Sequence, residues 1–421
     1  MDAFIIRGGK QLAGEVCVSG AKNSALPIMA ASILADSPCE IHGVPEIRDI
    51  STMAEILSSI GAKVSAEAGT VKIDPAGINN YTAPYELVKQ MRASIAVLGP
   101  MLGKFGKARV SHPGGCVIGP RPVDLHLKGL SELGTRIKIE HGYICAEADE
   151  LTGADIFLGG RFGSSVLATA NIMMAAVKAK GNTVIESAAC EPEVVDLGNF
   201  LVKMGANIIG LGSPRIIIRG VKNLKGVSHK VIPDRIEAGT FIIAGALCGK
   251  KLVVKNALAE HLKALLDILR KSGVEFDIGD GEITVTKTGK KEPSDVITMP
   301  YPGFPTDLQA QMTTLMCITP GISIITEKIY PERFMHVSEL NRMGARIHRE
   351  ASSTIVAGVK NLSGAPVMAS DLRASASLVL AGLIAEGETV ISRVYHIDRG
   401  YEDIESKLMK LGADIRRIKE V

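Results

Sequence analysis

The sequence predicts an α/β protein of two domains, each built from three copies of one supersecondary repeat. Two observations carry this prediction. A helix-to-strand signature, in which a turn of helix led by Leu or Ile ends at a glycine before a β-branched run, recurs six times. Between these copies lies a second helix rich in Ala and Ser, also six times. About two helices and three or four strands in roughly 70 residues are typical of such a repeat.

The first signature is marked by its glycines. Successive copies are 73, 71, 68, 71 and 68 residues apart. Each glycine follows an amphipathic helical pattern, so we predict a left-handed residue just after each helix end. The regular spacing over the whole chain makes coincidence a poor explanation. The six positions are Gly61, Gly134, Gly205, Gly273, Gly344 and Gly412.

The second helix places small residues where helices can approach closely. We therefore expect this set to be innermost, with the Leu-rich, charge-bearing set outside it. Its first turns carry polar groups that packing does not require. These groups are Lys22 with Asn23, Arg92, Ser164 with Ser165, Asp234 with Arg235, Asp307, and Asp371 with Arg373.

Length and repeat number indicate how the chain divides. A chain of 421 residues suits two or three domains, and six repeats divide into two groups of three. The third repeat ends near Val221, and the polar segment 227–233 is one expected crossing between domains. Gly20, at the end of the first strand, is the other.

Composition excludes several classes of protein. No apolar run reaches transmembrane length and no signal peptide is recognisable, which predicts a soluble cytoplasmic protein without membrane insertion. A net charge of only +3 and the absence of Trp argue against a nucleic-acid binder. The seven cysteines form no CxxC pair, and no His, Asp or Glu cluster suggests a metal. Neither a P-loop nor a dinucleotide motif is present.

The segment 111–125 combines a thiol with a rigidly held cation. Gly114 and Gly115 free the backbone before Cys116, and Pro120 and Pro122 bracket Arg121. A thiol beside a guanidinium group indicates a reactive cysteine that faces an anion. The alternative is a Gly/Pro-rich hairpin with an incidental thiol.

Cations at helix N-termini point to the same chemistry. Lys22, Arg92 and Arg373 oppose the helix macrodipole, which makes sense if an anion also binds there. Arg333 and Arg399 lie in loops among Gly, Pro and aromatic residues. A solvated surface arginine is the alternative for each.

Asp307 is delivered by the constrained turn 303–307 onto the start of an inner helix. A carboxylate among so many cations should have a lowered pKa, which suits a general base. The alternative is an ordinary helix cap, which also applies to Ser164, Ser165, Asp234 and Asp371. The residues together predict a site that binds polyanions beside a thiol.

Seven short motifs closely resemble the family of UDP-N-acetylglucosamine enolpyruvyl transferases. The resemblance covers the chain from residue 1 to its C-terminus. The related enolpyruvylshikimate-phosphate synthases share the fold but lack the Gly-Gly-Cys loop. The motifs are Gly20–Asn23, Met91–Ser94, Pro113–Leu125, Phe304–Asp307, Arg333–His336, Asp371–Ala376 and His396–Tyr401.

The resemblance implies a two-domain inside-out α/β barrel, with residues 22–231 as the first domain, which carries Cys116. Residues 1–21 plus 232–421 form the second. It implies transfer of the enolpyruvyl group of phosphoenolpyruvate to the 3′-hydroxyl of UDP-N-acetylglucosamine by addition–elimination, with release of phosphate. This is the first committed step of peptidoglycan synthesis, and it uses no metal or organic cofactor.

The resemblance also assigns site residues. Cys116 is the proton donor, the covalent partner of phosphoenolpyruvate and the target of fosfomycin, and Asp307 is the general base. Lys22 and Arg399 complete the catalytic set. The residues that face phosphoenolpyruvate are Lys22, Asn23, Arg92, Arg121 and Arg399. Those that contact the nucleotide sugar are Arg121, Pro122, Val123, Asp124, Leu125, Gly163, Ser164, Ser165, Val166, Asp307 and Ile329. Arg333 and Arg373 complete the substrate-binding set.

Two other functions stay open. A chain of this fold could act on shikimate phosphate, which an assay of both acceptors would decide. Six αβ repeats with inward helices could instead form a DNA-encircling clamp, which predicts a strongly basic lumen and steeply salt-dependent DNA binding. Acidic residues at the starts of three inner helices, Asp234, Asp307 and Asp371, argue against the clamp. The oligomeric state is left open.

Overall fold

The structure is a computed structural model that describes residues 2–112 and 123–419. This part of the chain divides into two compact units. The first comprises residues 20–112 and 123–232, and the second comprises residues 2–19 and 233–419. Each unit has its own hydrophobic core. The two N-terminal strands, β1 (Asp2–Arg7) and β2 (Leu12–Cys17), belong to the second unit.

The first unit begins with an inner helix. Its α-helices are α1 (Lys22–Ala31), α2 (Arg48–Ser59), α3 (Tyr85–Val88), α4 (Leu98–Phe105), α5 (Asp124–Glu132), α6 (Val166–Ala176) and α7 (Pro192–Met204). Its strands are β3 (Cys39–His42), β4 (Lys63–Glu67), β5 (Thr70–Asp74), β6 (Thr82–Ala83), β7 (Lys107–Ser111), β8 (Arg136–Glu140), β9 (Tyr143–Glu147), β10 (Asp155–Phe157), β11 (Asn182–Glu186), β12 (Asn207–Ile209), β13 (Arg215–Arg219) and β14 (Ser228–Lys230).

From α8 onward, the described part of the second unit repeats the helix–strand–helix order of the first unit, without a counterpart of the short helix α3. Its α-helices are α8 (Arg235–Cys248), α9 (Lys263–Lys271), α10 (Gln309–Cys317), α11 (Met335–Arg342), α12 (Leu372–Ile384) and α13 (Ile404–Lys410). Besides β1 and β2, its strands are β15 (Gly249–Lys255), β16 (Val274–Gly279), β17 (Glu282–Thr288), β18 (Val296–Ile297), β19 (Ile322–Thr326), β20 (Arg346–Glu350), β21 (Ser353–Ala357), β22 (Pro366–Met368), β23 (Glu388–Ser392) and β24 (Asp414–Lys419).

Within the described residues, six four-stranded sheets share one topology. In each sheet an edge strand runs parallel to its neighbour, and the next two pairings are antiparallel. The first unit holds β14-β3-β5-β4, β6-β7-β9-β8 and β10-β11-β13-β12. The second holds β2-β15-β17-β16, β18-β19-β21-β20 and β22-β23-β1-β24. Each repeat therefore has four strands, and the predicted α/β fold of six repeats is confirmed, with three in each unit.

Three of the sheets are completed by strands from distant parts of the chain. β14 pairs in parallel with β3, almost 190 residues earlier in the sequence. β2 pairs in parallel with β15, and β1 lies between β23 and β24. The N-terminal strands thus complete two repeats of the second unit, which accounts for their place in it.

The six signature glycines all lie in the left-handed region, as predicted. Their φ angles run from 85° at Gly273 to 114° at Gly205. The requirement is strictest at Gly61 and Gly273, because a Cβ at either position would also lie 2.4 Å from a backbone carbonyl oxygen, that of Gly77 or of Lys290. The predicted helix ends at these glycines are confirmed.

The small-residue helices are the buried ones. All of α10 is buried, as are residues 168–176 of α6 and 373–383 of α12. In contrast, α9 keeps only Leu265, Leu266 and Leu269 buried. The predicted inner and outer helix sets are confirmed. Across the described residues, the helices are either too short or too polar to cross a membrane.

Candidate active site

Lys22 opens α1 of the first unit, where no side chain caps the helix. The lysine is buried, and its Nζ lies 3.2 Å from Asp49 Oδ2 in the first turn of α2. Asn23, the next residue, is half-buried. The cation that was expected to accompany an anion at this helix start therefore already has one carboxylate as a partner.

Arg92 begins a 3₁₀ turn, Arg92–Val97, that runs directly into α4. At the junction the Leu98 amide donates to the Ile95 carbonyl, and Asn171 of α6 adds two further hydrogen bonds. Its Oδ1 accepts from the Gly99 amide at 2.8 Å, and its Nδ2 donates to the Ile95 carbonyl at 3.0 Å. The half-buried Arg92 is thus held on a helix start that α6 stabilises.

The same asparagine connects to α5 through a buried histidine. Asn171 Nδ2 donates to His126 Nδ1 at 2.9 Å, and burial lowers the pKa of His126 to about 4. A neutral imidazole can act as the acceptor here. His126 directly follows Asp124 and Leu125, so this network orients the start of α5 against α4 and α6.

Val123 precedes α5, Asp124 is its exposed first residue, and Leu125 is half-buried. Leu125 packs against a short turn in which Gly160 and Gly163 exchange two backbone hydrogen bonds of 3.0 and 3.1 Å. Gly163 has φ of 96°, which favours glycine. The structure therefore brings the predicted contacts of α5 and of the segment 163–166 together.

That segment leads into α6. Ser165 is the N-cap, because its side chain accepts from the Ala168 amide at 3.4 Å. Ser164 and Val166 are half-buried beside it. Ser165 is therefore a helix N-cap, as the alternative interpretation expected, and its hydroxyl group lies at the N-terminus of α6.

Three predicted site residues, Cys116, Arg121 and Pro122, lie outside the described residues. Their roles stay predictions.

In the second unit, Asp307 bridges two buried arginines. Its Oδ1 accepts from Arg333 Nη1 at 2.6 Å, and its Oδ2 accepts from Arg373 Nε at 3.3 Å. The side chains of Arg333 and Arg373 are only 5% and 1% exposed, whereas Asp307 is 26% exposed. The carboxylate is therefore the part of this trio that solvent can reach.

The neighbours of Arg333 stabilise its charge. Burial lowers the pKa of Arg333, but the carboxylates of Asp307 and Asp371 outweigh burial and raise it above its ordinary value. Arg373 also stacks over the ring of Tyr401, with 5.1 Å between guanidinium carbon and ring centroid. Both arginines are cations in a largely desolvated setting.

The three acidic residues at the starts of inner helices differ in whether they act as helix N-caps. Asp371 caps α12, since its Oδ1 accepts from the Arg373 and Ala374 amides at 2.8 and 3.2 Å. Asp234 caps α8 in the same way. Asp307 is not at a cap position, because Pro305 is the N-cap of its 3₁₀ turn, Thr306–Leu308, and Leu308 is the N-cap of α10. The cap interpretation is wrong for Asp307.

Ile329 and Arg399 lie in two other loops of this unit. Ile329 is half-buried in the turn after β19, where its amide donates to Glu327 Oε1 at 2.8 Å. Arg399 ends a 3₁₀ turn, Val394–Arg399, and is half-buried. The preceding Asp398 receives two hydrogen bonds from Arg417 of β24, at 3.0 and 2.6 Å, which anchor this turn.

Sequence reasoning missed the residues that hold these loops. Asn171, Glu327 and Arg417 carry no motif, and an isolated Glu after a strand is normally a surface residue. Only their burial and partners identify them. Within residues 2–112 and 123–419, no three His, Cys, Asp or Glu side chains are grouped so as to hold a metal ion.

The buried His126 should make the protein less stable in acid. Its folded pKa of about 4 is below the ordinary 6.5, so its contribution to stability is complete above pH 6.5 and is lost as the pH falls toward 4. Between pH 7 and pH 5 this amounts to about 2 kcal/mol. In urea denaturation, the free energy of unfolding of His126→Gln should therefore fall by about 2 kcal/mol less than that of the wild type between pH 7 and pH 5.

The control for this experiment is His348→Gln, because His348 is exposed on β20. It should show the wild-type pH dependence. Equal pH dependence of His126→Gln and wild type would contradict the prediction.

Comparison with known proteins agrees with this architecture. The family model of EPSP synthase (3-phosphoshikimate 1-carboxyvinyltransferase) matches residues 6–408. The fold of the enolpyruvyl transferase NikO from Streptomyces tendae is similar, with a TM-score of 0.90 at 27% identity over 100% of this chain and 99% of that one. EPSP synthase from Acinetobacter baumannii has a TM-score of 0.75 at 18% identity, with full coverage of both chains.

The chain belongs to the enolpyruvyl transferase family of EPSP synthase. Within that family, it is 55% identical over 420 residues to the UDP-N-acetylglucosamine 1-carboxyvinyltransferase of Geotalea uraniireducens, with 100% of both chains covered. It is 52% identical over 421 residues to the enzyme of the same name from Shigella boydii, again with full coverage. The resemblance and the fold class inferred from the motifs are confirmed.

Proposed function

We propose that this protein transfers the enolpyruvyl group of phosphoenolpyruvate to the 3′-hydroxyl of UDP-N-acetylglucosamine and releases phosphate. The observation that carries the proposal is a sequence identity of 55% and 53%, over nearly the full length of the chain, with two enzymes named UDP-N-acetylglucosamine 1-carboxyvinyltransferase. The reaction is the first committed step of peptidoglycan synthesis, which connects the protein to cell-wall biogenesis, cell shape and cell division. The protein acts in the cytoplasm, without nucleic acid or membrane insertion.

The reaction proceeds by addition and elimination. In the addition, the sugar hydroxyl oxygen bonds to C2 of phosphoenolpyruvate, its proton passes to Asp307, and C3 receives a proton from Cys116. In the elimination, C3 gives a proton back to the Cys116 thiolate, the electrons of that C–H bond restore the double bond, and the C2–O bond breaks with its electron pair leaving on phosphate. Asp307 then passes its proton to the released phosphate. Atoms and charge balance with phosphate as the leaving group.

The position of Asp307 supports its role as the base. The carboxylate is exposed enough to reach a substrate, and the adjoining guanidinium groups of Arg333 and Arg373 favour its ionised form. Those groups also weaken it as a base while they remain paired. An anionic substrate that binds to either arginine would release one carboxylate oxygen for the sugar hydroxyl.

The cations provide the remaining electrostatic work. Lys22, Arg92, Arg121 and Arg399, with Asn23, offset the negative charge of phosphoenolpyruvate and stabilise the departing phosphate. The nucleotide sugar contacts the segments 121–125 and 163–166, with Asp307 and Ile329. Residues 22–231 form one domain, and residues 1–21 with 232–421 form the other.

The decisive test is phosphate release from phosphoenolpyruvate by the purified protein. We expect release that depends on UDP-N-acetylglucosamine and that shikimate 3-phosphate does not support. Release with shikimate 3-phosphate alone would assign the activity of the EPSP synthases instead. Retention on DNA with a steep salt dependence and no phosphate release would favour the clamp.

A further inference from the structure

Glu327 is a buried carboxylate that accepts four hydrogen bonds. It follows β19 and has no exposed surface. Its Oε1 accepts from Thr298 Oγ1 at 2.7 Å and from the Ile329 and Tyr330 amides at 2.8 and 2.9 Å. Its Oε2 accepts from Thr306 Oγ1 at 2.8 Å. A desolvated carboxylate is costly unless donors surround it in this way, so a specific role is indicated.

The two oxygens of Glu327 serve different segments. The Oε1 contacts tie the end of β18 to the turn that contains Ile329. The Oε2 contact reaches Thr306, which directly precedes Asp307. Glu327 is therefore hydrogen-bonded to both turns that present the proposed nucleotide-sugar contacts of this unit.

The Thr306 hydroxyl relays this contact to the base. Its single proton is donated to Glu327, so its lone pairs face Arg333, whose Nη1 donates to Thr306 Oγ1 at 3.2 Å. The same nitrogen donates to Asp307 Oδ1 at 2.6 Å. The direction of donation is thus set from Arg333 through Thr306 to Glu327.

We propose that Glu327 is a positioning residue for Asp307, which it orients through Thr306 and Arg333. The inference rests on the proposed function, in which Asp307 takes the proton of the sugar hydroxyl. A base that is misplaced by a fraction of an ångström loses rate more than it loses substrate affinity. Glu327 therefore governs kcat and leaves the KM for UDP-N-acetylglucosamine almost unchanged.

Glu327→Gln tests the contact of Glu327 Oε2 with Thr306, on the side of Asp307. The amide oxygen can keep all three Oε1 contacts, so the turn after β19 is retained. The amide nitrogen would instead donate to Thr306, so the Thr306 hydroxyl loses its acceptor and its proton must rotate away from residue 327, which disturbs the geometry around Arg333. We expect kcat to fall by roughly 10- to 100-fold, with both KM values within about threefold of wild type.

Three further variants separate positioning from general destabilisation. Thr306→Val removes the relay and should lower kcat as Glu327→Gln does, whereas Thr306→Ser keeps the hydroxyl and should recover most of that loss. In the double variant Glu327→Gln/Thr306→Val, the losses should not multiply, because both changes break one chain of contacts. The control is Thr298→Val, which removes one contact of Glu327 Oε1 and the acceptor of the Lys328 amide but leaves the contact between Glu327 Oε2 and Thr306 in place. It should lower the melting temperature while kcat stays near wild type.

The outcomes are distinguishable. Two results would overturn the role of Glu327: a folded Glu327→Gln protein with wild-type kcat, or losses of kcat that multiply in the double variant. Neither result would affect the proposed function as long as the wild-type protein turns over its substrates. If the wild-type protein released no phosphate in the presence of UDP-N-acetylglucosamine, both the proposed function and the role of Glu327 would be overturned. If Glu327→Gln does not fold, Thr306→Val against Thr306→Ser decides: equal kcat in these two variants would overturn the relay.

Discussion

Asp307→Asn is expected to lower turnover by roughly 100- to 10,000-fold, while UDP-N-acetylglucosamine still binds. An amide cannot take up the proton of the sugar hydroxyl, although its size matches that of the carboxyl group. The measurements are steady-state phosphate release and calorimetric titration with the nucleotide sugar. Normal affinity with almost no turnover is the expected pattern.

The structure alters the stability that we expect of this variant. If Asp307 were only a helix cap, the amide would replace it at little cost and the protein would melt near the wild-type temperature. Asp307 instead pairs with the buried Arg333 and Arg373, and the neutral amide can accept from only one of them. We expect a loss of about 1–3 kcal/mol, detectable as a melting temperature lower by several degrees.

Asp234→Asn is the matched control. Asp234 also begins an inner helix, but it accepts from the Ile236 and Glu237 amides as a true cap. An asparagine can do the same, so turnover and melting temperature should stay close to wild type. Near-normal turnover in Asp307→Asn would refute the assignment and leave the base unidentified.

Cys116→Ser is expected to abolish nearly all turnover. A hydroxyl is a far weaker acid than a thiol and cannot deliver the proton to C3 at neutral pH. Cys116→Asp should keep part of the activity, because a carboxyl group can still donate a proton, and it should resist fosfomycin. Wild-type turnover in Cys116→Ser would contradict the proposed proton donor.

Fosfomycin should alkylate Cys116 alone among the seven cysteines, and faster with UDP-N-acetylglucosamine present. Burial raises the pKa of Cys39 and Cys190 above the ordinary range, and raises those of Cys248 and Cys317 to about 12, so these thiols are poor nucleophiles. Cys17 is exposed and serves as an internal control with iodoacetamide. Mass spectrometry that shows fosfomycin on another cysteine, or on none, would contradict the prediction.

Much of the fold was predictable because it depends on local patterns in the sequence. A helix that ends at Gly61 or Gly205 needs a left-handed residue there, and a small-residue helix such as α12 can be packed on every side. Both features recur with the repeat, so periodicity alone located them. The cationic residues at helix starts were predictable for a similar reason, since a lysine or arginine there is unfavourable without an anion.

The remaining features depend on contacts between residues far apart in the sequence. The pairing of β1 and β2 with strands near residues 390 and 250, and of β14 with β3, cannot be inferred from any local pattern, because each edge accepts any strand of compatible register. Asp307 and Asp371 look alike at the starts of helices, yet one pairs with two arginines and the other caps α12. That difference depends on which donors lie within hydrogen-bonding distance of each carboxylate, and only tertiary structure decides it.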